Sequence, residues 1–470
     1  MKKYIFSGIL PFMLTLLLFS GCDPEAREGR RKDPQYDVKV YYRDNFFNPY
    51  YYWVNEQLPV ADALKPYDTR DIYEYFNALL YSGDRWSWMT DGRSFASSET
   101  GQMSGTYGVL LSQPVEYYDD YAVKVALVYP GSVFAEQGVT RGWTLTHIAG
   151  ETTDQLIREG RFSTAFYTSP QTFTMVDLDG ETHTFTVKAS DLSVSPVLMT
   201  TVFTDADFPG LTEPVGYLNY LSFKFNFIDE IDRAMETLHE EGVRYLILDL
   251  RYNGGGDSRC SQKMVDYLAP ASKVGQVYVR RTHNSRLSYY DQAYKVEGEA
   301  KSLDLKRLYV ITGAGTASAS EMVTNGLRPL MDVEMVGDTT YGKPNGMYVL
   351  YYPYSKSDRN RYNRGDYSKL EWVFLPISFF NNNGLGESIP DTGFVPDNYR
   401  PDDLYHDFDV NEDNIRACLT HIVSGTYPAL KITTPETRST RRGARLQAPY
   451  ESDPHYGQYL VRGLPGVTED

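Results

Sequence analysis

The chain has 470 residues, 41% hydrophobic and 14% aromatic, enough apolar material to bury cores in more than one domain. A formal net charge of −16 excludes an extended nucleic-acid surface, because neutralising phosphates requires clustered Lys and Arg. The one basic cluster, Arg438, Arg441, Arg442 and Arg445, lies among Thr, Ser, Gly and Pro near the C-terminus and reads as a solvated tail.

Met1-Lys2-Lys3 precede an apolar run ending in Leu16-Leu17-Leu18-Phe19, followed by Ser20-Gly21-Cys22. A positive start, a short apolar core and small residues describe a secretory signal over residues 1–21, and the run falls short of the about 20 residues that span a bilayer. Small residues directly before a Cys resemble a bacterial lipobox. That resemblance implies that Cys22 is the lipidated first residue of a mature protein anchored in the bacterial cell envelope, in the outer membrane on its periplasmic or surface face. Residues 22–34 are polar and charged, as a tether would be. Of the 3 cysteines, Cys260 and Cys418 then remain; no spacing motif pairs them, and two buried free thiols are expected. The 7 His form no ligand spacing and never cluster with Cys, so neither a metal nor another cofactor is expected.

Residues 35–103 are rich in Tyr, Phe and Trp. Ile72, Tyr75, Phe76 and Leu79 fall on one helical face, and Asp84-Arg85-Trp86-Ser87-Trp88 follows, so a small helical region that packs aromatics is expected, with no sign of chemistry. Over residues 104–195 the pattern changes to short alternating strands, with a hairpin expected around Asp179-Gly180 between 172–176 and 182–187. Tyr107-Gly108-Val109-Leu110 resembles the carboxylate-binding loop of a PDZ domain, and Pro130-Gly131-Ser132-Val133-Phe134-Ala135 with Gly138-Val139 resembles its central motif. The pattern departs at Arg141-Gly142-Trp143, where Asp usually follows the Gly.

From residue 196 to 427 the pattern becomes α/β. Val215 to Leu221 reads as a strand, Ile228, Ile231, Met235 and Leu238 as one helical face stopping near Gly242, and Tyr245-Leu246-Ile247-Leu248 as a strand buried on both faces. Leu308 to Ile311 and Val333 to Val336 are two more, and the alternation implies a mainly parallel sheet with crossover helices. Hydrophobic periodicity fades after Tyr427, so residues 428–470 are expected to be disordered. The fold class expected is multidomain α+β: an N-terminal helical region, a β-rich PDZ-like domain and an α/β catalytic core.

Three buried strands each end in a loop of small residues, the place where open α/β sheets bind ligands. In Asp249-Leu250-Arg251-Tyr252-Asn253-Gly254-Gly255-Gly256-Asp257 the consecutive glycines allow positive φ or close approach, and amides of Gly255 and Gly256 could receive a developing oxyanion. A plain flexible turn is the alternative. In Gly313-Ala314-Gly315-Thr316-Ala317-Ser318-Ala319-Ser320-Glu321 a serine stands at a strand-to-helix junction, where a nucleophile can be held exposed beside the next backbone N–H, here Ala319. Read alone, the same residues are equally a helix cap. In Thr340-Tyr341-Gly342-Lys343-Pro344-Asn345-Gly346 a Lys between Gly and Pro belongs to a loop; buried, it loses its proton readily, as a general base for a serine hydroxyl must.

Together these segments resemble the C-terminal processing, or tail-specific, family of serine peptidases. Asp249-Leu250-Arg251 with Asn253 and the glycines resembles its oxyanion strand-loop, Ala317 to Glu321 its nucleophile motif, Thr340 to Lys343 its base motif, and Thr392-Gly393-Phe394-Val395-Pro396-Asp397 its closing motif. The separation 343 − 318 = 25 is the family's, and it selects Ser318 over Ser320. The resemblance implies a ClpP/crotonase-like core, Ser318 as nucleophile, Lys343 as base, and Asp249 and Arg251 bracing the loop. Partners would be polypeptides, engaged through free C-termini by Tyr107 to Leu110, with no nucleic acid. Many members carry Gln or Glu shortly after the lysine, which is missing here; the site is read as a Ser-Lys dyad, with Asn345 the candidate for a third member. A second reading is a catalytically inactive peptide-binding lipoprotein on the same fold.

Overall fold

The computed structural model describes residues 24–112, 115–117, 120–362, 364–430 and 460–461. The signal segment with Cys22 and the arginine-rich stretch of the tail lie outside the described residues. Within the stretch expected as a tether, Pro24–Lys32 form a helix. Asp33 is buried in an ion pair with Lys39 at 2.8 Å, and the same ammonium donates to the carbonyls of Pro66 and Thr69 at 3.0 and 2.9 Å. A buried cation with three acceptors fixes this end of the chain, because losing any of them would strand the charge.

The N-terminal helices Tyr36–Tyr42, Val54–Ala63 and Ile72–Leu79 share the core of the α/β unit. Asp71 starts the third by accepting the Glu74 N–H at 2.8 Å, and Ile72, Tyr75, Phe76 and Leu79 form its buried face. Tyr42 stacks on Phe374 with centroids 4.5 Å apart, so the aromatic region is docked on the strand Trp372–Leu375.

The central sheet runs in the order Val197–Phe203, Val215–Tyr220, Tyr245–Asp249, Arg307–Thr312, Val333–Gly337, Asn398–Tyr399. Its first pair is antiparallel and the other four are parallel. Leu246, Leu248, Leu308 and Val310 face one core, while Ile247, Tyr309 and Ile311 face another, closed by Ile415, Ala417 and Leu419 of the helix Asp413–Ser424. Strands buried on both faces read as continuous apolar runs, which is why these were visible in sequence. Truncating Ile247 to Ala would cost about 2–5 kcal/mol. Helices Ile228–Glu240, Ser258–Leu268 and Ala319–Leu327 supply the crossovers. A second sheet, ordered Gln292–Lys295, Val277–His283, Ile377–Asn383, Asn345–Tyr348, Leu460–Val461, lies against the last of these helices.

The β-rich segment emerges on a two-stranded ribbon, Gln102–Thr106 against Ser190–Ser193. Its sheet runs Val109–Leu111, Asp120–Val128, Thr144–Ile148, Gln171–Val176, Thr182–Val187, the last two forming the hairpin whose turn holds Gly180 at φ +88°. Its own core includes Phe134, Leu145, Ile148 and Phe173. Tyr107 belongs to that core, with its hydroxyl donating to the Thr168 carbonyl, so its side chain is a packing group and not a ligand contact. Arg141, at the departure from the PDZ pattern, is buried and reaches into the α/β unit, donating to Tyr252 Oη and Asp402 Oδ1, both at 2.6 Å.

Candidate active site

The strand Tyr245–Asp249 delivers the glycine loop. Asp249 accepts from Tyr217 Oη at 2.9 Å and pairs with Arg251, whose Nη1 donates to Asp402 at 2.8 Å and to Glu412 at 2.6 Å. All of Arg251 is buried, so the pair braces the loop rather than facing a substrate. Asn253 ties the loop on both sides: Nδ2 donates to the Tyr220 carbonyl at 2.8 Å, while its own carbonyl accepts Ser320 Oγ at 2.8 Å and the Ala317 N–H at 3.3 Å. Its Oδ1 accepts the Gly255 N–H at 2.8 Å. That amide is thereby committed, which removes Gly255 from the expected oxyanion donors and leaves Gly256 and Ala319. Gly255 has a different task. At φ +110° a Cβ there would stand 3.0 Å from Ser318 Cβ and 2.9 Å from the Ala319 nitrogen, so the loop lies directly on the nucleophile turn.

Ser318 follows the strand Arg307–Thr312 and opens the helix Ala319–Leu327 at φ +58°, ψ −111°. A non-glycine residue in that region is strained, and it persists only where the surroundings over-determine it. Here they do: the Thr316 hydroxyl donates to the Leu250 carbonyl at 2.8 Å, and the Ser318 N–H donates to Glu321 Oε2 at 2.9 Å. Ser318 Oγ is buried and has no hydrogen-bond partner among the described residues. The two readings of this motif are both realised, Glu321 as the returning half of a helix cap and Ser318 as a presented hydroxyl.

Lys343 leaves the strand Val333–Gly337 by a short loop and is 2% exposed. Its Nζ has no hydrogen-bond partner among the described residues. Burial lowers its pKa to about 7, against a smaller opposing pull from the carboxylates of Asp84 and Glu321. Asn345, two residues on, is buried with both side-chain polar atoms unpartnered among the described residues, so no hydrogen bond links it to Lys343.

Two contributors were not singled out in sequence. Glu321, fully buried, accepts four hydrogen bonds: from the backbone N–H of Ser318 and Lys343 at 2.9 Å each on Oε2, and from the Gly342 N–H at 2.8 Å and Thr340 Oγ1 at 2.6 Å on Oε1. One carboxylate therefore yokes the Ser318 turn to the Lys343 loop. The Ser-x-x-Glu spacing was its sequence signal, since that glutamate is placed to receive amides. The second is the turn carrying Asp84 and Arg85, whose guanidinium donates to the carbonyls of Gly342 and Asp391 at 3.2 and 2.6 Å.

In the β-rich segment, the Gly108 N–H already donates to Thr106 Oγ1 at 2.9 Å, at φ +73°. Among the described residues Val109–Leu111 is an edge strand, paired only with Asp120–Val128, with Val109 and Leu110 half-buried. Cys260 and Cys418 are free and buried in different core clusters.

A strained serine, a buried lysine and a glycine loop at the strand ends of an α/β sheet are the groups that acyl transfer through a serine uses. Residues 214–360 match the family model described as peptidase family S41. It is 31% identical over 159 residues to the carboxyl-terminal-processing protease of Synechocystis, covering 34% of each chain. It is 27% identical over 166 residues to carboxyl-terminal-processing peptidase 2, chloroplastic, of Arabidopsis thaliana, covering 35% of this chain and 30% of that one. The chain thus spans about a third of the length of these curated relatives. In fold it is similar to the crystal structure of an S41-protease-type chain from Bacteroides fragilis, with TM-score 0.59 and 22% identity over 81% of this chain and 96% of that one.

Proposed function

We propose that the protein is an envelope serine endopeptidase of the C-terminal processing type, working with Ser318 and Lys343 as a dyad. The observation that carries this reading is a strained Ser318 hydroxyl and a buried Lys343 amine, both unpartnered among the described residues, on two loops that share one carboxylate. Near neutral pH the amine holds no proton in a large fraction of molecules, so it can accept one from Ser318 Oγ as that oxygen attacks the scissile carbonyl. The resulting oxyanion lies between the amides of Gly256 and Ala319. Lys343 then gives its proton to the departing amine. Water repeats the sequence on the acyl-serine, releasing the carboxylic acid and restoring the hydroxyl.

Polypeptides with free C-termini are the proposed substrates, and the edge strand Val109–Leu111 of the PDZ-like domain is the proposed place for strand addition. Lipidation at Cys22 is the proposed anchor; among the described residues no helix is long and apolar enough to cross a membrane. A fluorophosphonate probe tests the chemistry: it should label the native protein and not Ser318→Ala. Proteomics of new C-termini in cells carrying each form should report substrates that vanish with Ser318. Equal labelling of both proteins would remove Ser318 from the mechanism. Cys22→Ser should release the protein from membranes, and amidating a substrate's C-terminus should slow its cleavage; an unchanged result in either assay removes that part of the proposal.

A further inference from the structure

The peptide unit joining Gly342 to Lys343 is held at both ends. Its N–H, belonging to Lys343, donates to Glu321 Oε2 at 2.9 Å, and its carbonyl, belonging to Gly342, accepts from Arg85 Nη2 at 3.2 Å. That orientation of the peptide plane sets the direction in which the Lys343 side chain leaves the backbone. Arg85 is itself constrained. The same Nη2 donates to the Asp391 carbonyl at 2.6 Å, and the guanidinium lies over the rings of Trp86 and Tyr341, 4.7 and 5.7 Å from their centroids. Base loop and Asp391 loop are packed with no spare room, since a Cβ on Gly342 would come within 2.3 Å of the Asp391 carbonyl oxygen.

Asp84, the preceding residue, anchors the turn. Its Oδ1 accepts the N–H groups of Trp86 and Ser87 at 3.0 and 2.9 Å. Its Oδ2 accepts from Tyr51 Oη at 2.9 Å and from Ser87 Oγ. Both hydroxyls already accept elsewhere, Tyr51 from the Tyr81 N–H and Ser87 from the Ile377 N–H, each at 2.8 Å, so their protons point at Asp84. Four donors around this one side chain fix the turn.

We infer that the Asp84–Ser87 turn of the N-terminal segment is a positioning element for Lys343, Arg85 fixing the base loop through the Gly342 carbonyl and Asp84 holding the turn that carries Arg85. This rests on the proposed role of Lys343 as base. It gives the N-terminal aromatic region a task in the site, and it supplies from a remote part of the chain an orienting function that Asn345, with no hydrogen bond to the lysine, does not perform.

The test uses the full chain, fluorescein-labelled β-casein as an unfolded polypeptide, and Ser318→Ala as the blank. Arg85→Ala should fold with a native thermal melt, lose about tenfold in kcat and change KM less than about twofold, since it affects alignment of the base and not binding; Arg85→Lys should recover part of the loss. Full kcat in folded Arg85→Ala, or no recovery in folded Arg85→Lys, overturns the inference while the peptidase reading stands. A native protein with no Ser318-dependent cleavage overturns both.

Discussion

The Lys343 backbone N–H donates to Glu321 Oε2 at 2.9 Å, and the same oxygen receives the N–H of Ser318. Ser318 and Lys343 are thus referenced to a common point although 343 − 318 = 25 residues separate them. Glu321→Gln replaces one oxygen by a donor among four donors, which leaves at least one of them unsatisfied at a cost of about 1–3 kcal/mol. The expected outcome is a lower melting temperature together with a fall in kcat of about 10- to 100-fold, because small displacements at a reacting centre are costly. Calorimetry and steady-state kinetics on the folded variant check both, and native kcat would remove the yoke from the mechanism.

Ser318 and Ser320 differ in what their hydroxyls do. Ser320 Oγ is occupied by the Asn253 carbonyl at 2.8 Å, whereas Ser318 Oγ is unpartnered among the described residues. Ser318→Ala should abolish turnover and keep the fold. Ser320→Ala should retain turnover, with stability lower by about 1 kcal/mol for one lost hydrogen bond. Cleavage by Ser318→Ala above the level of a mock preparation would falsify the assignment.

Burial sets Lys343 to about 7, so kcat/KM should rise with pH through that value and level off above it. Lys343→Arg should be inactive, because guanidinium keeps its proton. The same shift bears on stability. The unfolded lysine holds its proton up to its ordinary value of 10.5 while the folded one gives it up near 7. The unfolded chain therefore binds more protons between those values, and stability rises with pH across that window. Lys343→Met removes the burden, so its gain in Tm over the native protein should be larger at pH 7 than at pH 10. An equal gain at both pH values would mean that the lysine is protonated when buried.

Gly255→Ala places a Cβ at φ +110°, 3.0 Å from Ser318 Cβ. The loop must withdraw from the nucleophile turn, so labelling of Ser318 by a fluorophosphonate should slow by at least about tenfold. Labelling at the native rate would show that the loop can move without consequence for the serine.

Much of this molecule is determined locally, and that part was legible. The strands at Tyr245, Arg307 and Val333 are buried on both faces and so are apolar at successive positions; the helix from Ile228 is amphipathic because one side faces the sheet. Strand ends, a glycine run and a loop between Gly and Pro marked the three segments locally, whereas the choice of Ser318 over Ser320 and of Lys343 as base came from the family resemblance. Other decisions depended on groups far apart in the chain. The Gly255 amide is taken by Asn253, Tyr107 is core, residues 24–33 are held by Asp33 and Lys39, and Glu321 spans two loops. The contact of Arg85 with Gly342 crosses 342 − 85 = 257 residues. Hydrophobic period and turn chemistry are properties of a short window of sequence, whereas the partner of a hydrogen-bond donor is whichever acceptor the folded chain brings within about 3 Å, and only the closed tertiary structure selects it.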